Sequence, residues 1–440
     1  MVSLSAGLVV ALGIFALARG ANATFHSEQR VATAEMSLRS AMERLRADIG
    51  RASFMSTGNI RHDPTVAVPL TGGLTIGRAG VDGLGSFRLE RGGSLASSSP
   101  LFVVNRLAPD LLDIGGNFTT SDEFVVRLVE ERASCTRLWL MADSPAMWRL
   151  RAGASGGAAA TDGGVGASTA EQDTLRAAFQ PVPLRQADGT ADPDADKPFI
   201  VRIADGTGKY QYRPTCTAQW AASFESGQPY VDVAGTLTLG SATGASGGVT
   251  GLGVGRMSVN PVQIVRWQVA SVAAIYAAHG RSLEGVASRR LTTDATEFVL
   301  ARSWVSADRE LVGPPEIVAE YAVDFKVGFT VDPSTDTTGA TPGFMPLGIG
   351  SVDNELYAYD LQSTQTPLRG PQRVRSVRFR VSTRSQLAEG SGYVGTADAS
   401  ATYSFCMNGS AATLESCRQF ARMRTLTSEV AVPNQARFFY

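Results

Sequence analysis

The opening of the chain restricts its fold more than any other stretch. Met1 to Ala18 carries no charged residue, the first charge is Arg19, and no proline occurs before Pro64. Val31, Ala34, Leu38, Ala41, Leu45, Ile49 and Ala52 recur at spacings of three and four, which places them on one stripe of a helix. Glu28, Arg30, Glu35, Arg39, Glu43, Arg46 and Asp48 fill the other faces. Glu35 precedes Arg39 by one turn, the better order for an exposed ion pair. The pattern predicts one long helix over 1–52, apolar in 1–24 and amphipathic in 25–52, with residues 53–440 forming a head.

Two readings of the apolar half compete. At ~1.5 Å per residue, Met1–Ala18 extends about 27 Å, slightly under the ~30 Å hydrocarbon core of a bilayer. As a leader it would be cut after Ala21-Asn22-Ala23, a small-residue site behind an apolar core, leaving a secreted β-rich binding protein. No Lys or Arg precedes the apolar run and the helical pattern continues past the cut, so the retained helix is the stronger expectation. Both readings export the chain.

Past Ser53 the period changes from helix to strand. Phe102–Val104, Glu123–Val129, Thr136–Met141, Phe199–Ile203, Gly235–Leu239, Val262–Val269, Phe298–Leu300, Ile317–Val331, Arg373–Ser382 and Ala401–Phe405 are short and rich in Val, Ile and Phe, the signature of strands. Val374, Val377, Phe379 and Val381 alternate with Arg375, Arg378 and Arg380 apart from one slip at Ser376, as in a strand with one solvated face. One helix is expected at Ala170–Phe179, with Ser168 and Glu171 at capping-box spacing. The Gly/Ala/Ser-rich 153–168, the polar, acidic 186–196 and the Gly/Ser-rich 240–255 read as surface loops.

Four cysteines suit an exported protein. Cys406 and Cys417 bracket a short loop before the arginine-rich 418–424, and a bond there would pin a C-terminal hairpin; Cys135 and Cys216 would then pair with each other. Three connectivities remain open to a sequence with four cysteines. No pair has the C-x-x-C spacing of a zinc site. A net charge of −1 without a basic stripe gives no argument for nucleic acid.

Motifs of catalysis are weak. Gly153–Gly157 and Gly244–Gly248 both fit G-x-S-x-G, but inside low-complexity loops rather than at a strand–turn–helix elbow. His26, His62 and His279 stand apart in sequence. Asp192, Asp194 and Asp196 form the opening of a calcium loop, yet Lys197 stands where glycine is needed and Ile203 at the twelfth position, so a solvated acidic loop is the better reading. Asn117-Phe118-Thr119 and Asn408-Gly409-Ser410 fit a glycosylation sequon. No enzyme activity and no cofactor is expected.

The opening Met1-Val2-Ser3-Leu4-Ser5-Ala6-Gly7-Leu8, the apolar run behind it and Ala41-Met42-Glu43-Arg44-Leu45-Arg46-Ala47-Asp48-Ile49 resemble the N-terminal helix of type IV pilin-like proteins. The likeness is to minor pilins of the PilW type and to their relatives, the J-type minor pseudopilins of type II secretion. Glu316–Asp324, Val374–Ser385 and Arg422–Asn434 resemble the later strands of that family. The resemblance implies an α+β pilin-like fold, a long N-terminal helical spine packed on a large antiparallel sheet. It implies that Met1 corresponds to about the sixth or seventh residue of a mature pilin. Leu4, Leu8, Leu12, Phe15, Val31, Leu38, Leu45 and Ile49 would be the packing residues of the spine. The implied function is priming of pilus assembly at the tip, with other minor pilins, the major pilin and a large tip adhesin as partners. The implied location is the inner membrane, with the head in the periplasm, before assembly. A minor pseudopilin of type II secretion is the alternative within the same resemblance.

Overall fold

The computed structural model describes residues 13–15, 17–18, 32, 35–66, 77–154, 169–183, 185, 190–216, 221–237, 257–281, 297–332, 345–347, 370–388, 404–408, 417 and 419–435. Among these, helix is continuous at the N-terminal end only over 35–50 (α1). Leu38, Ala41, Leu45 and Ile49 of its stripe are fully buried. That burial, rather than intrinsic propensity, is what stabilises a helix of this length.

The expected α+β pilin-like architecture is corrected here. The described residues contain no long N-terminal helical spine, and the fold is mostly antiparallel sheet. Among the described residues the head is not one sheet but two, of eleven and five strands. Periodicity reports which face of a segment is apolar; it does not report how many layers will cover that face.

The first sheet holds β1 (Phe87–Glu90), β2 (Leu111–Gly116), β3 (Phe124–Glu131), β4 (Cys135–Leu140), β5 (Ile200–Ala204), β6 (Tyr210–Pro214), β7 (Ala222–Glu225), β8 (Gln228–Ala234), β9 (Met257–Ser271), β10 (Phe298–Val305) and β11 (Leu311–Glu320). Short helices interrupt it: α2 (Ala79–Asp82), α3 (Pro100–Val104), α4 (Pro145–Ala154), α5 (Thr169–Phe179) and α6 (Val272–Ala278). β9 joins two parts. Its first half pairs with β3 and β5 (Val259 opposite Phe124, Val262 opposite Ile200), its second half with β2 and β10 (Trp267 opposite Leu112, Ala270 opposite Val299). Buried on almost every residue, β9 is rich in Val and Ile, as a strand covered on both faces must be.

The second sheet holds β12 (Ala322–Val331), β13 (Met345–Leu347), β14 (Val374–Arg384), β15 (Ser404–Cys406) and β16 (Phe420–Ala431), in the order β13-β12-β14-β16-β15. The chain passes from β11 to β12 through Tyr321, whose φ of 56° lies in the left-handed region. Phe325, Val327, Phe379 and Val381 of this sheet meet α1 and the inner face of β1, β2, β9 and β10 in the main core. A separate core lies under α4 and α5, from Phe124 and Leu138 to Leu175, Phe179 and Val231.

The two sheets are clipped by Asp110. Its fully buried carboxylate accepts from Arg91 at 2.6 Å, Lys326 at 3.1 Å and the backbone N–H groups of Gly92 and Val327, each at 3.1 Å. A buried carboxylate is retained only when its acceptor sites are filled in this way.

Candidate functional site

The residues expected to line a spine are distributed unequally. Leu38, Leu45 and Ile49 are fully buried in the main core, whereas Phe15 is 66% exposed and Ile14 and Leu17 beside it are exposed too. Leu4, Leu8, Leu12 and Val31 lie outside the described residues. Among the described residues no helix is long and apolar enough to cross a membrane, so the expected transmembrane anchor has no support there.

The polar side of α1 is fastened to the first sheet. Asp48 accepts from Trp267 Nε1 at 3.0 Å and from Arg302 Nε at 2.7 Å. Arg302 also donates to Glu316 at 3.2 Å, and Arg44 of the helix reaches the same carboxylate oxygen at 3.2 Å. Arg302 lies over the Trp304 ring at 4.4 Å. A carboxylate in the last turn of a helix opposes the helix dipole, so Asp48 requires these donors. Farther on, Asn434 Nδ2 donates to the carbonyls of Gly50 and Ala52 at 3.0 and 3.2 Å, closing the helix end with the C-terminal segment.

All four cysteines are paired, Cys135 with Cys216 and Cys406 with Cys417, at Cα separations of 6.3 and 6.0 Å. The first ties β4 to the residue group after β6; the second closes the loop between β15 and β16. Two disulfides mark an oxidising compartment, periplasmic or extracellular.

The acidic run near 190 is not a solvated loop. Asp192 and Asp194 are buried and accept from one guanidinium, that of Arg281, at 2.5 and 3.0 Å; Asp194 also accepts from the N–H of Gly313 at 2.9 Å. Asp196 is exposed. Arg281 supplies the cation that a calcium ion would have supplied, and no group of three or more metal-ligating side chains exists among the described residues.

His279, read as isolated in sequence, ends α6 and meets Ser303 of β10, with Nε2 to Oγ at 2.9 Å. Both side chains are almost wholly buried, and the backbone of Gly313 lies against the imidazole. Burial pushes the imidazole down to about 4, the hydrogen bond with the Gly313 backbone offsetting part of this and Arg281 nearby adding to it. A nucleophile–base pair also needs a surface that substrate can reach; His279 and Ser303 are both buried. Ser155 and Ser246 of the two G-x-S-x-G matches lie outside the described residues. Asn117 of the first sequon is fully buried, which removes it as a glycan acceptor.

Sequence reasoning missed the network of Asp48, Trp267, Arg302 and Glu316, because its members are 219 and 254 residues from the helix that they hold. Only Asp48, a charge at the edge of an apolar stripe, carried any signal. No protein-family model matches the chain, and neither a curated protein nor a solved structure shows significant similarity to it.

Proposed function

We propose that the chain is a minor pilin of the PilW type, which joins a tip complex and primes assembly of a type IV pilus, and that it catalyses no reaction. The observation that carries this reading is the two-sided use of the N-terminal region. Leu38, Ala41, Leu45 and Ile49 of α1 are buried in the core between the sheets, while Met36 on the same helix is 72% exposed and Ile14, Phe15 and Leu17 upstream are exposed. Large apolar side chains left together on a surface, as Ile14, Phe15 and Leu17 are, mark a contact with another molecule. Here they lie on the segment that leads into the head, where a subunit would meet its neighbours. The two disulfides suit a head working outside the cytoplasm.

On this reading the partners are other minor pilins, the major pilin and a large tip adhesin. The subunit waits at the inner membrane with its head in the periplasm before it enters the filament. The test is made in the native host, by shearing surface fibres and probing them for the full-length chain. Its presence in the fibre fraction, together with its loss from that fraction in Phe15→Asp and Leu17→Asp variants of unchanged abundance, supports the assignment. Recovery only as a free protein, with fibres intact in its absence, overturns it. Loss of exoprotein release instead of fibres assigns the chain to type II secretion.

A further inference from the structure

On the face of β1, β2 and β9 away from the main core, register brings three arginines around one aspartate. Arg88 stands directly opposite Asp113, and Asp113 opposite Arg266. Arg309, in the turn between β10 and β11 at φ +68°, reaches over the same carboxylate. Arg266 takes both oxygens of Asp113, at 2.7 and 3.0 Å. Arg88 and Arg309 are left at 3.8 Å each, beyond hydrogen-bonding distance. The nearby carboxylates are committed elsewhere: Asp308 to Arg78 at 2.5 Å, Glu310 to Lys197 at 2.7 Å. Glu90, two residues along β1, acts on Arg266 and Arg309 only at longer range.

The donors are also unfilled. Arg88 Nε, Arg309 Nε and Gln268 Nε2 are buried atoms without a hydrogen-bond partner among the described residues. Gln268 is only 1% exposed and lies two residues along β9 on the same face as Arg266. Buried charge is ordinarily paired and hydrogen-bonded. Burial pushes Arg309 down to about 10, with Asp113 offsetting part of that. The three side chains keep partial exposure, 28% for Arg88, 15% for Arg266 and 18% for Arg309.

We propose that Arg88, Arg266 and Arg309, with Gln268 beside them, form a binding site for an oxyanion of the phosphate class. One carboxylate neutralises one guanidinium, and Glu90 offsets part of another from a distance. What remains matches a ligand of charge about −1.5 to −2 with three acceptor oxygens better than a monocarboxylate or a halide. Two guanidinium forks that share one carboxylate with a third have N–H groups free to engage such oxygens. The site is independent of the assembly reading, since it lies on the outer face of the first sheet, away from α1.

The test is titration of the full-length, disulfide-intact chain with inorganic phosphate at pH 7, against sodium chloride of equal ionic strength, by calorimetry and by thermal unfolding. A saturable heat and a saturable rise in midpoint are expected with phosphate and not with chloride. General salting effects of phosphate are not saturable and do not depend on one residue. Arg309→Gln and, separately, Arg88→Gln are expected to weaken phosphate binding about tenfold or more, the loss of one charge-assisted contact; Arg149→Gln, on α4, leaves it unchanged. Absence of saturable binding to the wild-type chain overturns the proposal, as does undiminished binding in a folded Arg309→Gln or Arg88→Gln protein.

Discussion

Trp267 donates its indole N–H to Oδ2 of Asp48 at 3.0 Å, and the same oxygen takes Arg302 Nε at 2.7 Å. One helical carboxylate is thereby held by two neighbouring strands of the first sheet, while the apolar stripe beside it packs in the core shared with the second. Removing one member of a buried ion pair leaves its partner's charge uncompensated, a cost of about 3–5 kcal/mol. Asp48→Ala is expected to lower the free energy of unfolding by that amount, read as a lower denaturant midpoint at an unchanged slope. Loss below about 1 kcal/mol would show that water replaces the carboxylate and that the helix is held by its apolar side alone.

Two positions on α1 separate packing from exposure. Leu45 is fully buried and Met36 is exposed, although both are large apolar residues on one helix. Leu45→Ala is expected to cost about 2–5 kcal/mol through lost burial and the cavity left behind. Met36→Ala should stay within about 0.5 kcal/mol for the isolated chain. Chemical denaturation of the two variants checks the pair, and equal losses would contradict the placement of the helix.

The two disulfides differ in how much chain each constrains. Their sequence separations are 81 and 11, so the chain-entropy model gives the longer closure about 2 kcal/mol more stabilisation than the shorter. Replacing Cys135 and Cys216 by serine should therefore lower stability more than replacing Cys406 and Cys417. Guanidinium unfolding of the two double variants gives the order, and a reversal would mean that native-state packing around Cys406 and Cys417 outweighs loop closure.

The legible parts of the sequence were those governed by local spacing. The stripe Leu38, Ala41, Leu45, Ile49 is buried as its period requires, and α5 at Thr169–Phe179 falls where the capping box placed a helix. Phe102-Val103-Val104 looked like a strand, yet it lies in α3. Pro100 at the first turn sets the helical φ there, and Asn105 ties the helix end to the backbone of Cys406 through bonds of 3.0 and 2.7 Å. Ile317–Val331 read as one strand and is two, because the left-handed residue Tyr321 sends the chain between sheets. Asp192 and Asp194 read as solvent-facing because their counter-charge, Arg281, is 89 and 87 residues away. The arginine cluster was hidden for the same reason: only strand register brings Arg88, Asp113 and Arg266 into one row.

His279 gives the protein a predictable response to acid. Its imidazole is pushed from an ordinary 6.5 down to about 4 by burial, so it stays neutral in the folded chain. In the unfolded chain it takes up a proton as the pH falls below about 6.5. The unfolded state then binds more protons than the folded one, and folding stability declines as the pH drops from about 6.5 towards 4, levelling once the native group titrates. The full loss from this one group is up to about 3 kcal/mol. Above pH 7 it contributes no slope. His279→Gln keeps a polar group in reach of Ser303 and removes the titration, so its stability curve should be flatter than the wild-type curve across that window. Parallel curves for the two proteins between pH 6.5 and 4 would overturn the assignment of this acid response to His279.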